Sequence, residues 1–406
     1  MHNRWSILAV LFTVRAIMAI QYQSVAGMAP LLIRDLGIDL SDIGVLIGLY
    51  MAPGVALALP GGAVGRTFGD KTTVLFGLAL MAIGSLMMAL SASWGVQICG
   101  RLVAGVGGVL LSVLLTKMVA DWFGPEEIGT ATALLMVSWP VGLALSLVMV
   151  PAIAAAYNVG LANALVAGST AFGIVLLATY YPPHPSAPKS AVPARLQYNS
   201  AVLVIVAAVA CSLYTVGYGM ILAFGPSMLV ERGWSIADAG SATSIVIWLG
   251  VISTLIGGTL ADKTKRYSLI AVTSYLMFAL LLVIAPRSTF LILVFVALGI
   301  VSGLPIASVM SLPVRLLPVD ARPIGLGLFY TVFYMAMMVG PGLGGSYATW
   351  AGTAGAAFDF GAVMVLFGAA MLCAVAYLAR LLLPTARVCP MNFSLERKVP
   401  QRIGVH

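Results

Sequence analysis

Apolar residues run along this chain in blocks of about twenty, separated by short polar breaks. A helix that crosses the hydrocarbon core of a bilayer needs about 20 consecutive, mostly apolar residues. The first six blocks fall near residues 5–27, 42–62, 72–92, 96–118, 128–151 and 160–180. The second six fall near 200–224, 238–260, 267–285, 290–314, 324–346 and 356–381. The faintest breaks, around Ser91–Trp94 and Ala154–Asn158, have no charge to mark the turn. The pattern predicts an all-α integral membrane protein with twelve transmembrane helices.

Composition sharpens this reading. The chain has 406 residues, 61% hydrophobic and 8% charged, against about 45–50% and about 25% in soluble domains. So little charge cannot cover a soluble surface. The net charge of +8 does not point to nucleic acid, because the lysines and arginines lie scattered in the breaks and form no stripe with aromatic residues. Arg15 interrupts the first apolar block and no clear small-residue cleavage site follows, so the block is read as a retained first helix and not a signal peptide. Cys99, Cys211 and Cys373 lie in apolar runs and Cys389 near the C-terminal end. None is spaced as a metal motif, and they are read as small hydrophobes or tail thiols. His2, His184 and His406 lie outside the blocks, so none is a membrane-embedded base. No Gly-x-x-x-x-Gly-Lys loop is present, which excludes direct use of ATP. No catalytic set and no cofactor is implied.

Basic residues also set an expected orientation. With the N-terminus in the cytoplasm, the inner segments carry 16 lysines and arginines and the outer loops 3 (Arg34, Arg232 and Arg287), with Arg15 and Arg101 left in the membrane. This bias predicts both termini in the cytoplasm; the expected location is the inner (plasma) membrane. The longest break, Pro182 to Asn199, is rich in proline and polar residues and reads as a linker. It divides the chain into an N-terminal six-helix bundle (1–181), a cytoplasmic linker (182–199), a C-terminal six-helix bundle (200–382) and a cytoplasmic tail (383–406). The halves are related by a constant offset of 196: Pro30 meets Pro226, Gly37 meets Gly233, Asp42 meets Asp238, Gly61-Gly62 meets Gly257-Gly258, and Ile128-Gly129 meets Ile324-Gly325. The aspartate pair is the most telling, because the chain has only 13 acidic residues. Two parallel six-helix repeats predict two pseudo-symmetric bundles.

The segment Gly258-Thr-Leu-Ala-Asp262-Lys263-Thr-Lys265-Arg266 resembles the signature of the major facilitator superfamily between helices two and three. The first half has a variant, Gly61-Gly62-Ala-Val-Gly65-Arg66-Thr-Phe-Gly69-Asp70-Lys71, with the charges swapped at constant offset: Arg66 faces Asp262 and Asp70 faces Arg266. The resemblance covers roughly residues 5–382. The variant and Asp121-Trp122-Phe123 resemble the cyanate-permease-like branch. The resemblance implies that Arg66, Asp70, Asp262, Lys263 and Arg266 gate alternating access through charge pairs. Without it, the same residues read as a positive-inside anchor.

Two arginines lie inside predicted spans. An arginine at mid-membrane costs about 2.5–3.5 kcal/mol on insertion scales and usually faces a polar cavity or a partner. Arg15 lies some ten residues into the first span, near the midplane at about 1.5 Å per residue. Tyr22, seven residues on, shares its face, and Gln23 is next to it. Arg15 is expected to line the substrate pathway; the alternative is a tie to a carbonyl or to Asp359. Arg101 is followed on its face by Ala104, Gly105, Gly108 and Ser112, small residues that admit either a ligand or a close neighbouring helix. Arg101-Leu-Val-Ala-Gly105 resembles the family's helix-four Arg-Gly motif, and in anion-transporting relatives arginines on helices one and four bind carboxylate together. In the second half Cys211 replaces Arg15 and Ala297 replaces Arg101, and tyrosines stand in pairs at i, i+4: Tyr214 with Tyr218, and Tyr330 with Tyr334. They read as substrate contacts or as packing. Lys117 reads as an anchor and Asp359 as a possible gate.

Two buried arginines favour an anionic solute. The expected function is secondary transport of a small anion by a monomer. No acid accompanies the arginines, which argues against proton symport and leaves sodium coupling, exchange or uniport. Proton-coupled efflux of an apolar drug or a metabolite and a non-transporting membrane sensor or scaffold are the alternative readings; the first lacks the usual buried acid, the second a soluble signalling domain.

Overall fold

A computed structural model of the chain describes residues 4–57, 68–124, 126–182, 197–317 and 321–382. Among these residues there is no strand, and twelve helices are long and apolar enough to cross a membrane. The first six are α1 (Arg4–Leu36), α2 (Leu40–Leu57), α3 (Asp70–Leu90), α4 (Trp94–Trp122), α5 (Ile128–Ala156) and α6 (Val159–Tyr180). The second six are α7 (Tyr198–Glu231), α8 (Ile236–Thr264), α9 (Tyr267–Ile284), α10 (Leu291–Met310), α11 (Arg322–Ala351) and α12 (Ala356–Leu382). The chain is a multi-pass membrane protein. The motif residues Gly61 to Arg66, the linker between residues 182 and 197, and the tail lie outside the described residues.

The repeat is visible in local stereochemistry. Helix α1 outruns its apolar block, passing through Pro30 and stopping at Gly37; α7 passes through Pro226 and stops short of Gly233. Both glycines hold a left-handed backbone, with φ +65° and +85°, which a side chain would strain. The next helix then starts from a capping side chain, Asp39 for α2 and Ser235 for α8, each accepting from the backbone N–H of the aspartate three residues on, Asp42 or Asp238. The paired aspartates are therefore helix starts, where a negative charge also suits the helix dipole.

Within the first half α1 packs on α5 and α6, and α3 on α4 and α6; in the second half α7 packs on α12 and α11, and α8 on α10. The halves meet through α2 with α11, α5 with α8, and α1 with α7. The first two pairs are equivalents under the repeat, and glycines bring them together. A Cβ on Gly44 would strike the Pro341 carbonyl, one on Gly345 the Leu40 carbonyl, and one on Gly240 the Leu147 carbonyl. Ser41 adds polar links, its hydroxyl 2.7 Å from that of Ser346 and its N–H 3.0 Å from the Thr349 hydroxyl. These contacts gather at the end of the bundle that bears Gly37 and Gly233, opposite the linker; we call it the far end.

Candidate functional site

The core of the first bundle runs up one side of α1 through Leu11, Val14 and Met18. Arg15 turns from that core towards the second half. Its Nε and Nη1 are sealed from solvent and have no hydrogen-bond partner among the described residues. The hydroxyls of Tyr330 and Tyr334 on α11 lie within electrostatic reach of it. Tyr334 lies over Gly54 of α2, where any side chain would collide with its ring, and it approaches Ser112 of α4. Tyr330 also lies near Cys211, the residue that takes the place of Arg15 in the second half. Both halves thus approach one guanidinium, two of whose nitrogens have no hydrogen-bond partner among the described residues.

Arg101 is in a different situation. Its side chain is 1% exposed, and Nε donates to the carbonyl of Leu46 (2.9 Å), Nη1 to that of Gln21 (3.0 Å) and Nη2 to that of Tyr22 (2.9 Å). The guanidinium also sits over the Tyr50 ring, 4.9 Å from its centroid, where the π-face attracts a cation. The small stripe after it serves close packing: Gly105 lies against the Tyr50 backbone and Gly108 against the Tyr50 ring. Arg101 pins α1 and α2 to α4.

Tyr22 lies about two turns along α1 from Arg15. Its ring packs edge-on to Tyr50 at 5.4 Å and tilted against Trp139 at 5.5 Å. Gln23 reaches across the halves, its Nε2 donating to the Leu222 carbonyl of α7 at 2.8 Å. Gln21 is turned into the first bundle and donates to the Met81 carbonyl and the Ser85 hydroxyl, both at 2.6 Å. Tyr214 is part of the second bundle's interior: its hydroxyl donates to the Ser302 carbonyl and its ring stacks on Tyr275 at 4.4 Å. Tyr218 packs beside Phe278. Trp139 and Tyr50 do not stand out as site residues in the sequence pattern. The signals that could have found them are an indole directly before Pro140 in mid-helix, and a phenol three residues before Pro53 where α2 is interrupted.

Of the expected gating residues, Arg66 lies outside the described residues. Asp70 is 7% exposed and receives both bonds of Lys117 Nζ, at 2.9 and 2.6 Å. Lys117 therefore joins α4 to α3 as well as sitting near a membrane boundary. In the second half Asp262 accepts from the Tyr267 hydroxyl at 2.7 Å, and Lys263 and Arg266 are exposed. Asp359 is held by Arg287 at 2.7 and 3.0 Å on the rim of the second half, so it is not the counter-ion of Arg15.

Comparison with known proteins places the architecture. One relative, a choline/ethanolamine transporter of Rattus norvegicus, is 20% identical over 307 residues, 68% of this chain and 55% of that protein. Shorter stretches match azole resistance protein 1 of Saccharomyces cerevisiae (44% over 68 residues, 17% of this chain and 11% of that protein). A quinolone resistance protein of Staphylococcus aureus is 25% identical over 97 residues, 24% of this chain and 25% of that protein. The chain thus spans between about a tenth and about half the length of these relatives. A solved bacterial homologue of the human lysosomal transporter Spinster, inward-facing and unoccupied, superposes with a TM-score of 0.67 over 93% of this chain and 96% of that one at 15% identity, a likeness of fold. Residues 11–286 and 206–403 match the model of the Major Facilitator Superfamily. With its twelve spans, duplicated halves and matches to both of them, the chain belongs to the major facilitator superfamily of membrane transporters.

Proposed function

We propose that this protein carries a small anion across the plasma membrane by alternating access, binding it between the halves at Arg15. Among the described residues, the observation that carries the reading is the pair of Arg15 nitrogens, Nε and Nη1, without a hydrogen-bond partner in mid-span; Arg322 Nε, also sealed and unpartnered, lies at the start of α11. A cation held in the membrane interior without a hydrogen-bond partner is costly, and a carboxylate or similar oxyanion would satisfy it through charge-assisted bonds. Tyr330 and Tyr334 would donate to the same ligand from the opposite half, while Tyr22 and Trp139 form an apolar wall for its body. Arg101 serves as a structural pin in this state, since its guanidinium is spread over three carbonyls. The halves are clasped at the far end, so the path to Arg15 runs from the linker side, the cytoplasm under the orientation that the lysine and arginine bias favours. The charges at Asp70, Asp262, Lys263 and Arg266 lie on that side and would gate it.

A cation substrate would meet Arg15 with repulsion, which counts against reading this chain through the choline/ethanolamine transporter. A drug-efflux role draws support from the two resistance proteins, yet it leaves the buried charge without a purpose. The cyanate-permease-like branch accords with a small anion and rests on the Asp121-Trp122-Phe123 segment. No carboxylate acts on Arg15 among the described residues, so a proton carried by a side chain next to the ligand is not part of the mechanism we propose. The test is uptake of labelled acetate, lactate, cyanate and phosphate into proteoliposomes. The wild type is expected to accumulate at least one of them and Arg15→Gln to lose that uptake. Uptake of none, with drug resistance in an expressing strain, would favour efflux.

A further inference from the structure

A cleft at the far end of the second half lies between the starts of α8 and α10, away from Arg15. It has a volume of about 670 Å³, and its walls include Arg232, Trp234, Asp238, Ser241, Ile245 and Ile292. A second hollow of about 460 Å³ shares Trp234 and Ile292 with it and continues along Phe290, Leu293 and Val296. Phe290 and Leu293 are 73% and 68% exposed. On a membrane-spanning helix such apolar exposure faces the acyl chains, so the groove opens to lipid and not between the halves. Trp94, Tyr157 and Trp350 stand at the same far end, at the edges of α4, α5 and α11, where indoles and phenols mark the headgroup level. Trp234, just before α8, joins this belt. The charged part of the cleft is therefore at headgroup depth and its apolar arm runs towards the hydrocarbon.

The neighbouring charges are committed elsewhere. Glu231 accepts from the Thr353 hydroxyl and the Ala354 N–H, both at 2.8 Å, and Arg287 pairs with Asp359. Arg232 donates Nη1 to the Ser288 carbonyl at 2.6 Å and Nη2 to the Pro286 carbonyl, which fixes its position and leaves its charge uncompensated. Asp238 accepts from the Ser235 hydroxyl at 2.6 Å. Neither has an ion-pair partner among the described residues, so they do not pair with each other. The aspartate recurs in the first half as Asp42, and a helix start accounts for it. Arg232 and Trp234 do not recur: their equivalents 196 residues earlier, Leu36 and Ile38, pack against the core. The second half thus adds a cation and an indole around an aspartate, in a cleft open to lipid. We infer that this cleft holds one resident phospholipid with a zwitterionic, primary-amine headgroup, its phosphate on Arg232, its ammonium on Asp238 and its acyl chains along Phe290, Leu293 and Val296. Two opposite charges, held apart in one cleft, match a ligand that carries both. An anionic headgroup would answer Arg232 and be repelled by Asp238, and a trimethylated amine has no N–H to donate to the carboxylate. The site is independent of what Arg15 binds.

The test titrates delipidated full-length protein in detergent with dioleoyl phosphatidylethanolamine, phosphatidylcholine or phosphatidylglycerol and counts bound lipid by native mass spectrometry. The parent is expected to bind one phosphatidylethanolamine at least ten-fold more tightly than phosphatidylglycerol and at least three-fold more tightly than phosphatidylcholine. Asp238→Asn should erase the preference over phosphatidylglycerol, and Arg232→Gln should weaken both lipids at least five-fold. Ser241→Trp fills the cleft without touching either charge and should lose the tight phosphatidylethanolamine, so the test does not hang on a variant at the α8 start that fails to fold. Glycerophosphoethanolamine, the same headgroup without chains, should not displace the lipid even in hundred-fold excess. The proposal is overturned if phosphatidylglycerol binds the parent as tightly as phosphatidylethanolamine does, if Asp238→Asn keeps the preference, or if Ser241→Trp binds as the parent does. Displacement by the chainless headgroup would also overturn it, since the site would then take a soluble zwitterion.

Discussion

Arg101 on α4 holds α1 by its backbone, with Nη2 on the Tyr22 carbonyl at 2.9 Å and Nη1 on that of Gln21 at 3.0 Å. The segment of α1 it holds begins six residues beyond Arg15, and the third bond, to Leu46, fixes α2 beside it. The two arginines thus stand in different situations on their helices: the Arg101 guanidinium bonds three backbone carbonyls, and two nitrogens of Arg15 have no hydrogen-bond partner among the described residues.

The two arginines should respond to substitution in opposite ways. Arg101→Ala removes three charge-assisted hydrogen bonds that tie α4 to α1 and α2 and opens space beside Tyr50, and is expected to destabilise the folded protein by about 3–5 kcal/mol. Arg15→Gln removes an unsatisfied cation and should leave the melting temperature in detergent unchanged or raised. Thermal unfolding of the two variants side by side reads both; a drop for Arg15→Gln as large as that for Arg101→Ala would show that Arg15 has a structural partner.

The far-end clasp rests on close backbone approach. At Gly44 and Gly240 any side chain would displace the Pro341 or Leu147 carbonyl across the interface between the halves. Valine at either position should prevent full closure of the far end while each bundle stays folded. The expected readout is faster labelling of a cysteine introduced at Ser346 by a membrane-impermeant thiol reagent, at least several-fold over the parent. Unchanged labelling in both variants would mean that the halves separate elsewhere.

Lys117 and Asp70 should be energetically coupled. The carboxylate is nearly buried and takes both bonds of the ammonium group. A double-mutant cycle with Asp70→Asn and Lys117→Met is expected to give a coupling of about 1–3 kcal/mol in unfolding free energy. Additive losses would return Lys117 to the role of a membrane-boundary anchor.

How much of this could be read in the chain depends on what each pattern encodes. Span positions come from hydrophobicity alone, and the bilayer enforces them, so the twelve helices matched. Their lengths did not all match: α1 continues past residue 27 to Leu36 because a helix stops at its capping chemistry, here Gly37, and not where its apolar block ends. The offset of 196 predicted the duplication, and Gly37 with Gly233 shows its physical basis. What the two arginines face could not be read, because a partner such as the Leu46 carbonyl carries no signature in side-chain identity. Gln23 was placed beside the ligand face, whereas its amide spans the halves to Leu222, a contact that only the packing of α1 on α7 creates.

Tyr334 offers a finer test of the site. It comes from the second half and approaches both Arg15 and Ser112 of the first. Tyr334→Phe keeps the ring over Gly54 and removes the hydroxyl. It should weaken anion binding by about ten-fold, the loss of one hydrogen bond to a charged group, with no effect on the melting temperature of the empty protein. A variant that binds as the wild type does would remove Tyr334 from the site.

The central claim is that Arg15 receives an anion. The most direct measurement is the thermal shift of purified protein titrated with acetate, lactate, benzoate, cyanate, nitrate and phosphate, compared between wild type, Arg15→Gln and Arg15→Lys. A saturable rise in melting temperature is predicted for at least one of these anions in the wild type, absent in Arg15→Gln and partly retained in Arg15→Lys. The same rise in Arg15→Gln as in the wild type would contradict the claim.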